Sequence, residues 1–203
     1  MKVFICDVSS VPDSFLTIAK SYLSETELCR LENMFSQKRQ REYILGHYLL
    51  RQVVASRYNK SLQEVDVVPL KSGALTLKNQ ELGYVSLSHS NGFIAIASSS
   101  TPVGIDMELI KPKDNYNQIL EQIDAVKQAR ELLNNGYDIQ TAFFQLWTKR
   151  EAVYKLNSLL EKPYQNMSYS YYKTDSFMLC VAAVSNEQVL WEKIDLKTVD
   201  KND

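Results

Sequence analysis

The chain has 203 residues, 45% of them apolar, with 23 lysines and arginines against 24 aspartates and glutamates, a formal net charge of −1. That composition is enough for a sizeable core in one large or two small domains, and it argues against a broad nucleic-acid or membrane-binding surface, so any basic site must be local. Cys6, Cys29 and Cys180 form no CxxC pair and leave an odd count, and there are only two histidines; disulfide scaffolds and cysteine- or histidine-based metal sites are not expected, and a reducing cytoplasm fits. The N-terminal apolar run is too short for a signal peptide, and no stretch approaches the ~20 apolar residues of a membrane span, so a cytoplasmic location is expected.

In chain order, Lys2 to Val8 alternates as a first strand. Ser24 with Glu27 forms a capping box ahead of a short helix carrying Leu28 and Leu31. Ser36 to about Tyr58 reads as a long helix with Leu45, Leu49 and Val53 in its apolar stripe, and Gly46 inside it points to close packing. Strands are predicted at Val65–Pro69, Tyr84–Ser88, Phe93–Ser98 and Val103–Met107, with Asn91-Gly92 turning a hairpin. Lys111 to Asn117 is polar with one proline and reads as a linker. Two shorter helical patterns lead to a stop at Asn135-Gly136. Asp138 then caps a second long helix reaching Leu159 or Leu160, with Pro163 beyond it. Tyr169–Tyr172, Phe177–Val184 and Val189–Ile194 read as a closing antiparallel sheet, and the tail after Lys197 is expected to fray. A long helix followed by about three strands occurs twice. This predicts an α+β fold of two similar lobes, residues 1–110 and 111–203.

Four clusters carry polar groups suited to chemistry. In Val103-Gly104-Ile105-Asp106-Met107-Glu108, strand alternation puts Asp106 and Glu108 on one face and Ile105 and Met107 on the other. Paired carboxylates suit a hard cation such as Mg²⁺ or Mn²⁺; the alternative is a polar face in solvent. In the run Phe143 to Lys155, Glu151 and Lys155 lie one helical turn apart, either as a surface ion pair or as a third metal oxygen and a phosphate contact. Ser86-Leu87-Ser88-His89-Ser90-Asn91-Gly92 presents hydroxyls, turn amides and an imidazole that either stabilise the turn or receive a phosphate. Lys38, Arg39 and Arg41 open the first long helix, as a solvated face or an anion contact, with Arg39 the one retained.

Together and in this order, these segments resemble the 4′-phosphopantetheinyl transferase superfamily in its longer two-lobed, surfactin-synthetase-activating form. Val103 to Glu108 match V-G-I-D-x-E; Trp147, Glu151, Ala152 and Lys155 match W-x-x-K-E-A-x-x-K; Ser88-His89-Ser90 and Arg39 with Gly46 fit as well. The resemblance spans about residues 35 to 160 and implies a pseudo-dimer of α+β lobes, each a long helix on a mostly antiparallel sheet, with the active site between them. It implies transfer of 4′-phosphopantetheine from coenzyme A to a serine of an apo acyl or peptidyl carrier protein by a cytoplasmic, monomeric, Mg²⁺-dependent enzyme. Carried over residue by residue, it makes Asp106, Glu108 and Glu151 the metal ligands. Glu151 becomes the general base, and Lys155 the pyrophosphate contact and catalytic cation. Arg39, Ser88, His89 and Arg150 become further coenzyme A contacts, with His89 on the 3′-phosphate. The chain departs from the pattern in three places: Arg150 stands where lysine is usual, His47 follows Gly46 where arginine is common, and Gly73-Ala74-Leu75 replaces G-K-P. The alternatives are a coenzyme A-binding protein without transfer and a metal-dependent phosphodiesterase.

Overall fold

The computed structural model describes residues 1–9, 11–160, 162–164 and 166–194; the tail after Lys197 lies outside the described residues. The chain is α+β, with strands β1 (Lys2–Asp7), β2 (Val67–Pro69), β3 (Leu75–Leu77), β4 (Tyr84–Ser90), β5 (Phe93–Ser99), β6 (Val103–Leu109), β7 (Ser168–Lys173), β8 (Phe177–Ala183) and β9 (Leu190–Ile194). Its helices are α1 (Asp13–Lys20), α2 (Glu25–Glu32), α3 (Gln37–Tyr58), α4 (Tyr116–Gln122), α5 (Val126–Asn134) and α6 (Ile139–Asn157). No helix among the described residues is long and apolar enough to cross a membrane.

The predicted caps are in place. The Ser24 hydroxyl accepts the Glu27 amide, and the Glu27 carboxylate accepts the Ser24 amide at 2.7 Å. Ser36 caps α3 and Asp138 caps α6. Asn91 and Gly92 both have positive φ, 51° and 88°, which gives the β4–β5 hairpin a turn whose twist matches its strands. Instead of one apolar stripe, α3 buries nearly every residue from Glu42 to Ala55. The reason is that α1 and α2 cover one side of it and the sheet the other. Gly46 lets Leu87 approach, a Cβ there lying 3.3 Å from a Leu87 methyl.

Strands β4-β5-β1-β9 form one sheet and β6-β8-β7 another. The α3 side of the first sheet contributes Cys6, Val85, Ile94 and Ile96 to one core. Its opposite face meets the second sheet through Val3, Ile5, Ala95 and Ala97 against Ile105, Met107, Leu179 and Val181. Helix α6 covers the far side of the second sheet, over Cys180 and Ala182.

Chain order and sheet membership part company at two strands. β6 precedes the boundary expected at residue 110 but pairs with β8. β9 does not close an antiparallel sheet with β7 and β8; it runs parallel to β1 at the edge of the first sheet. Alternation in Val189–Ile194 identifies a strand but not the edge it covers. Here the open edge of β1 receives it, and Trp191 packs into the core between the sheets.

The junction between the sheets explains the serine-rich segment. Ser86, Ser88 and Ser90 point from β4 toward β6, and their hydroxyls accept the amides of Ile105, Met107 and Leu109 at 3.0, 3.1 and 3.1 Å. Along the edge of β6 that faces away from β8, a ladder of serine hydroxyls thus pairs three amides that no strand reaches.

Candidate active site

Ile105 and Met107 are buried between the sheets, while Asp106 and Glu108 take the opposite side of β6, toward α6. Gly104 permits that helix to lie so close. A Cβ at this position would stand 2.0 Å from the Ala152 carbonyl oxygen and 2.7 Å from the Leu156 amide nitrogen, both backbone atoms. The glycine of the first motif and the alanine of the second are therefore two halves of one contact. Gly104→Ala is expected to force α6 away, destabilising the fold by at least ~1–3 kcal/mol; an unchanged thermal melt would contradict the contact.

With α6 docked, Lys155 donates to Asp106 Oδ1 at 2.8 Å and to the Ile105 carbonyl at 2.9 Å, while Trp147 Nε1 donates to Glu108 at 3.3 Å. The Ser88 hydroxyl, which accepts Met107, donates to the same Asp106 oxygen at 2.9 Å. Asp106 is only 6% exposed, and its Oδ2 is buried without a hydrogen-bond partner. Burial, and then the charge of Asp106, push the Glu108 carboxyl above its ordinary value. A buried, unpartnered carboxylate oxygen beside a second carboxyl supplies oxygen donors of the kind a hard divalent cation takes. Glu151 is half-buried on the same helix, but among the described residues no three acidic, histidine or cysteine side chains gather into a metal-ligand cluster. The geometry thus brings Asp106, Glu108, Trp147 and Lys155 together and does not gather Glu151 with the two carboxylates into a metal-ligand group. Arg150 is exposed.

A cleft of about 580 Å³ opens at Glu108, lined also by Arg39, Glu42, His89, Lys111 and Lys113 among others. The basic start of α3 divides into distinct roles. Arg41 is committed to the Val8 carbonyl and to Asp13, and Lys38 donates to Asn91. The Arg39 guanidinium faces the cleft with no ion-pair partner among the described residues. His89 joins the cleft wall with Nδ1 3.0 Å from Glu42. A larger cavity of about 690 Å³ lies elsewhere, along β1, β9 and α3; neither carboxylate of the pair lines it, whereas Glu108 lines the smaller cleft.

Three cleft residues escape a reading by motif. Lys111 and Lys113 lie in the stretch read as a linker, where the available signal was two lysines flanking a proline directly after the acidic strand. Lys113 caps the rings of Phe143 and Phe144 at 5.2 and 5.8 Å. Glu42 lies on a helix face that looks like any other polar position. His47, which had no assigned role, belongs to a separate buried network with Glu27 and Arg51.

No family model matches the chain. Curated relatives do. The chain is 31% identical over 117 residues to 4′-phosphopantetheinyl transferase psf-1 of Bacillus pumilus, covering 57% of this chain and 49% of that protein. It is 24% identical over 136 residues to 4′-phosphopantetheinyl transferase Sfp of Bacillus subtilis, covering 66% and 60%. It is 32% identical over 74 residues to 4′-phosphopantetheinyl transferase AcpT of Salmonella typhi, covering 36% and 38%. The matches thus span about half of the first of these relatives and three fifths of the second. In sequence, the chain's likeness is to the 4′-phosphopantetheinyl transferase superfamily.

Proposed function

We propose that this chain transfers the 4′-phosphopantetheine of coenzyme A to a serine of an acyl or peptidyl carrier protein, releasing 3′,5′-ADP. The observation that carries the reading is an acidic pair at the edge of a basic cleft: Asp106 has one oxygen on Lys155 and the other unpartnered, and Glu108, on the same face of β6, lines the cleft with Arg39, His89, Lys111 and Lys113. The names of the relatives support it. So does the two-lobed reading, in which α3 on its sheet and α6 on its sheet are the two halves of a pseudo-dimer with the cleft between them.

In this reading the carrier serine oxygen forms a bond to the β-phosphorus while the bond from that phosphorus to the 3′,5′-ADP oxygen breaks. Such chemistry asks a protein chiefly for positioning and charge neutralisation. Asp106 and Glu108, with Glu151 as the third carboxylate, would hold Mg²⁺ or Mn²⁺. Such an ion, when bound, would supply Lewis-acid stabilisation of the charge that develops in the transfer. Lys155 supplies positive charge at the reacting phosphate, and the serine proton passes to Glu151. Arg39 and His89 bind the nucleotide end. Ser88 acts from behind, holding Asp106 and β6 in place, and Arg150 reaches substrate only peripherally.

Mass spectrometry of apo carrier proteins incubated with the chain, coenzyme A and Mg²⁺ tests the proposal. The expected result is a mass gain of one phosphopantetheine, abolished in Asp106→Ala. Coenzyme A binding without any mass gain would favour a binding protein, and coenzyme A cleavage without a carrier would favour a phosphodiesterase.

A further inference from the structure

Glu42 is a carboxylate only 4% exposed on α3, one turn beyond Lys38, and each of its oxygens has a distinct task. Oε1 accepts the Gly92 amide at 2.6 Å, and Oε2 lies 3.0 Å from His89 Nδ1. Lys38 meanwhile donates to Asn91 in the same turn, so α3 grips the hairpin tip at His89, Asn91 and Gly92. An ionised carboxylate only accepts hydrogen bonds, so the contact requires the proton of the ring on Nδ1. The other nitrogen, Nε2, has no partner among the described residues, and the side chain keeps 37% of its surface exposed on the cleft wall.

We propose that Glu42 is a positioning residue that locks His89 with Nδ1–H turned onto the protein, so that Nε2 alone meets the phosphomonoester of the ligand. The proposal rests on the transferase reading for the identity of that phosphate, and on geometry alone for the orientation of the ring. A phosphomonoester has a second pKa of about 6, so it and Nε2 can share a proton at their contact, with the Glu42 carboxylate stabilising the positive charge on the ring. The other charges acting on the ring are Arg39 from α3 and Lys155 from α6, and Glu108, Lys111 and Lys113 line the same cleft. Burial holds the free ring below the ordinary histidine value, with Glu42 opposing that shift. The ring is therefore held toward its neutral form, with the tautomer selected by Glu42.

The chain has two histidines, which makes nitrogen-detected NMR of the imidazoles decisive. In the wild type without ligand, His89 is expected as the Nδ1–H tautomer. In Glu42→Gln the amide oxygen can keep Gly92 while the amide NH₂ faces Nδ1, so the ring is expected to switch to Nε2–H. His47, held by Glu27, should not change. A wild-type His89 found as Nε2–H, or a tautomer unmoved in Glu42→Gln, overturns the proposal. Calorimetry with coenzyme A and with dephospho-coenzyme A supplies the second readout. Losing one charge-assisted contact predicts a roughly tenfold fall in the preference for coenzyme A in both Glu42→Gln and His89→Ala. Affinity for dephospho-coenzyme A should stay within about threefold on the same scale. An undiminished preference in Glu42→Gln removes the positioning role. If the wild type binds neither nucleotide, the transferase reading fails, and the tautomer measurement still decides whether Glu42 orients the ring.

Discussion

Replacing Glu27 with alanine is expected to destabilise the fold by ~3–5 kcal/mol, the usual consequence of removing one partner from a buried ion pair. Glu27 Oε2 receives Arg51 at 2.7 Å and Oε1 lies 2.5 Å from His47 Nδ1. Arg51 is itself only 4% exposed, so the alanine variant strands its charge. The same carboxylate closes the capping box of α2, and the substitution therefore also removes a helix cap. Against a typical total stability of about 5–15 kcal/mol, this is a large fraction, and it should appear as a lower urea midpoint with little change in slope. An unaltered midpoint would show that the network contributes nothing. A pH series sharpens the test. Burial pushes the Glu27 carboxyl up, but the contacts from His47, Arg51 and the Ser24 amide outweigh it and hold the carboxyl at about 2, against 4.5 ordinarily. Because the folded value is depressed, this stabilisation is complete above about pH 4.5 and is lost as pH falls from there toward 2. Wild-type stability should fall more steeply across that window than that of Glu27→Gln.

Lys155→Ala is expected to lower kcat by roughly ten- to a hundredfold, the rate equivalent of losing one charge-assisted contact of ~1.5–3 kcal/mol. Arg150→Lys should alter kcat by less than about threefold. Five residues on a helix turn about 140°, so the two cations cannot both face one phosphate. The contacts fit that division: Lys155 reaches Asp106 and the Ile105 carbonyl, whereas Arg150 is exposed. Coenzyme A affinity should change little in Lys155→Ala, since the contact is made at the reacting phosphate. Steady-state kinetics with one carrier protein decide between the two residues. If Arg150→Lys proves the more damaging, the fork of the guanidinium is essential and the assignment reverses.

Much of the local structure was legible because it depends on short-range physics. The Ser24–Glu27 capping box, the Asn-Gly turn and the alternation of Ile105 and Met107 against Asp106 and Glu108 are set by neighbours a few residues apart. Helix α1 and strand β3 were not anticipated, being short elements whose patterns are weak alone. The parallel seat of β9 was misread because periodicity carries no information about which edge a strand will cover.

By itself, then, the sequence determined the identity and order of the motifs, the α+β class, and the face of β6 that carries its carboxylates. Only the tertiary structure decided how those groups meet. Gly104 and Ala152 belong to separate motifs, and nothing local reveals that one makes room for the other. The serines of β4 look like turn stabilisers until β6 offers them its amides. Glu42 is one glutamate on a helix until the hairpin brings Gly92 and His89 to its two oxygens. The physical reason is common to all three. Backbone dihedrals and caps are settled within a turn or two of chain, whereas desolvation and hydrogen-bond pairing of buried polar groups depend on whichever distant segment arrives to complete them.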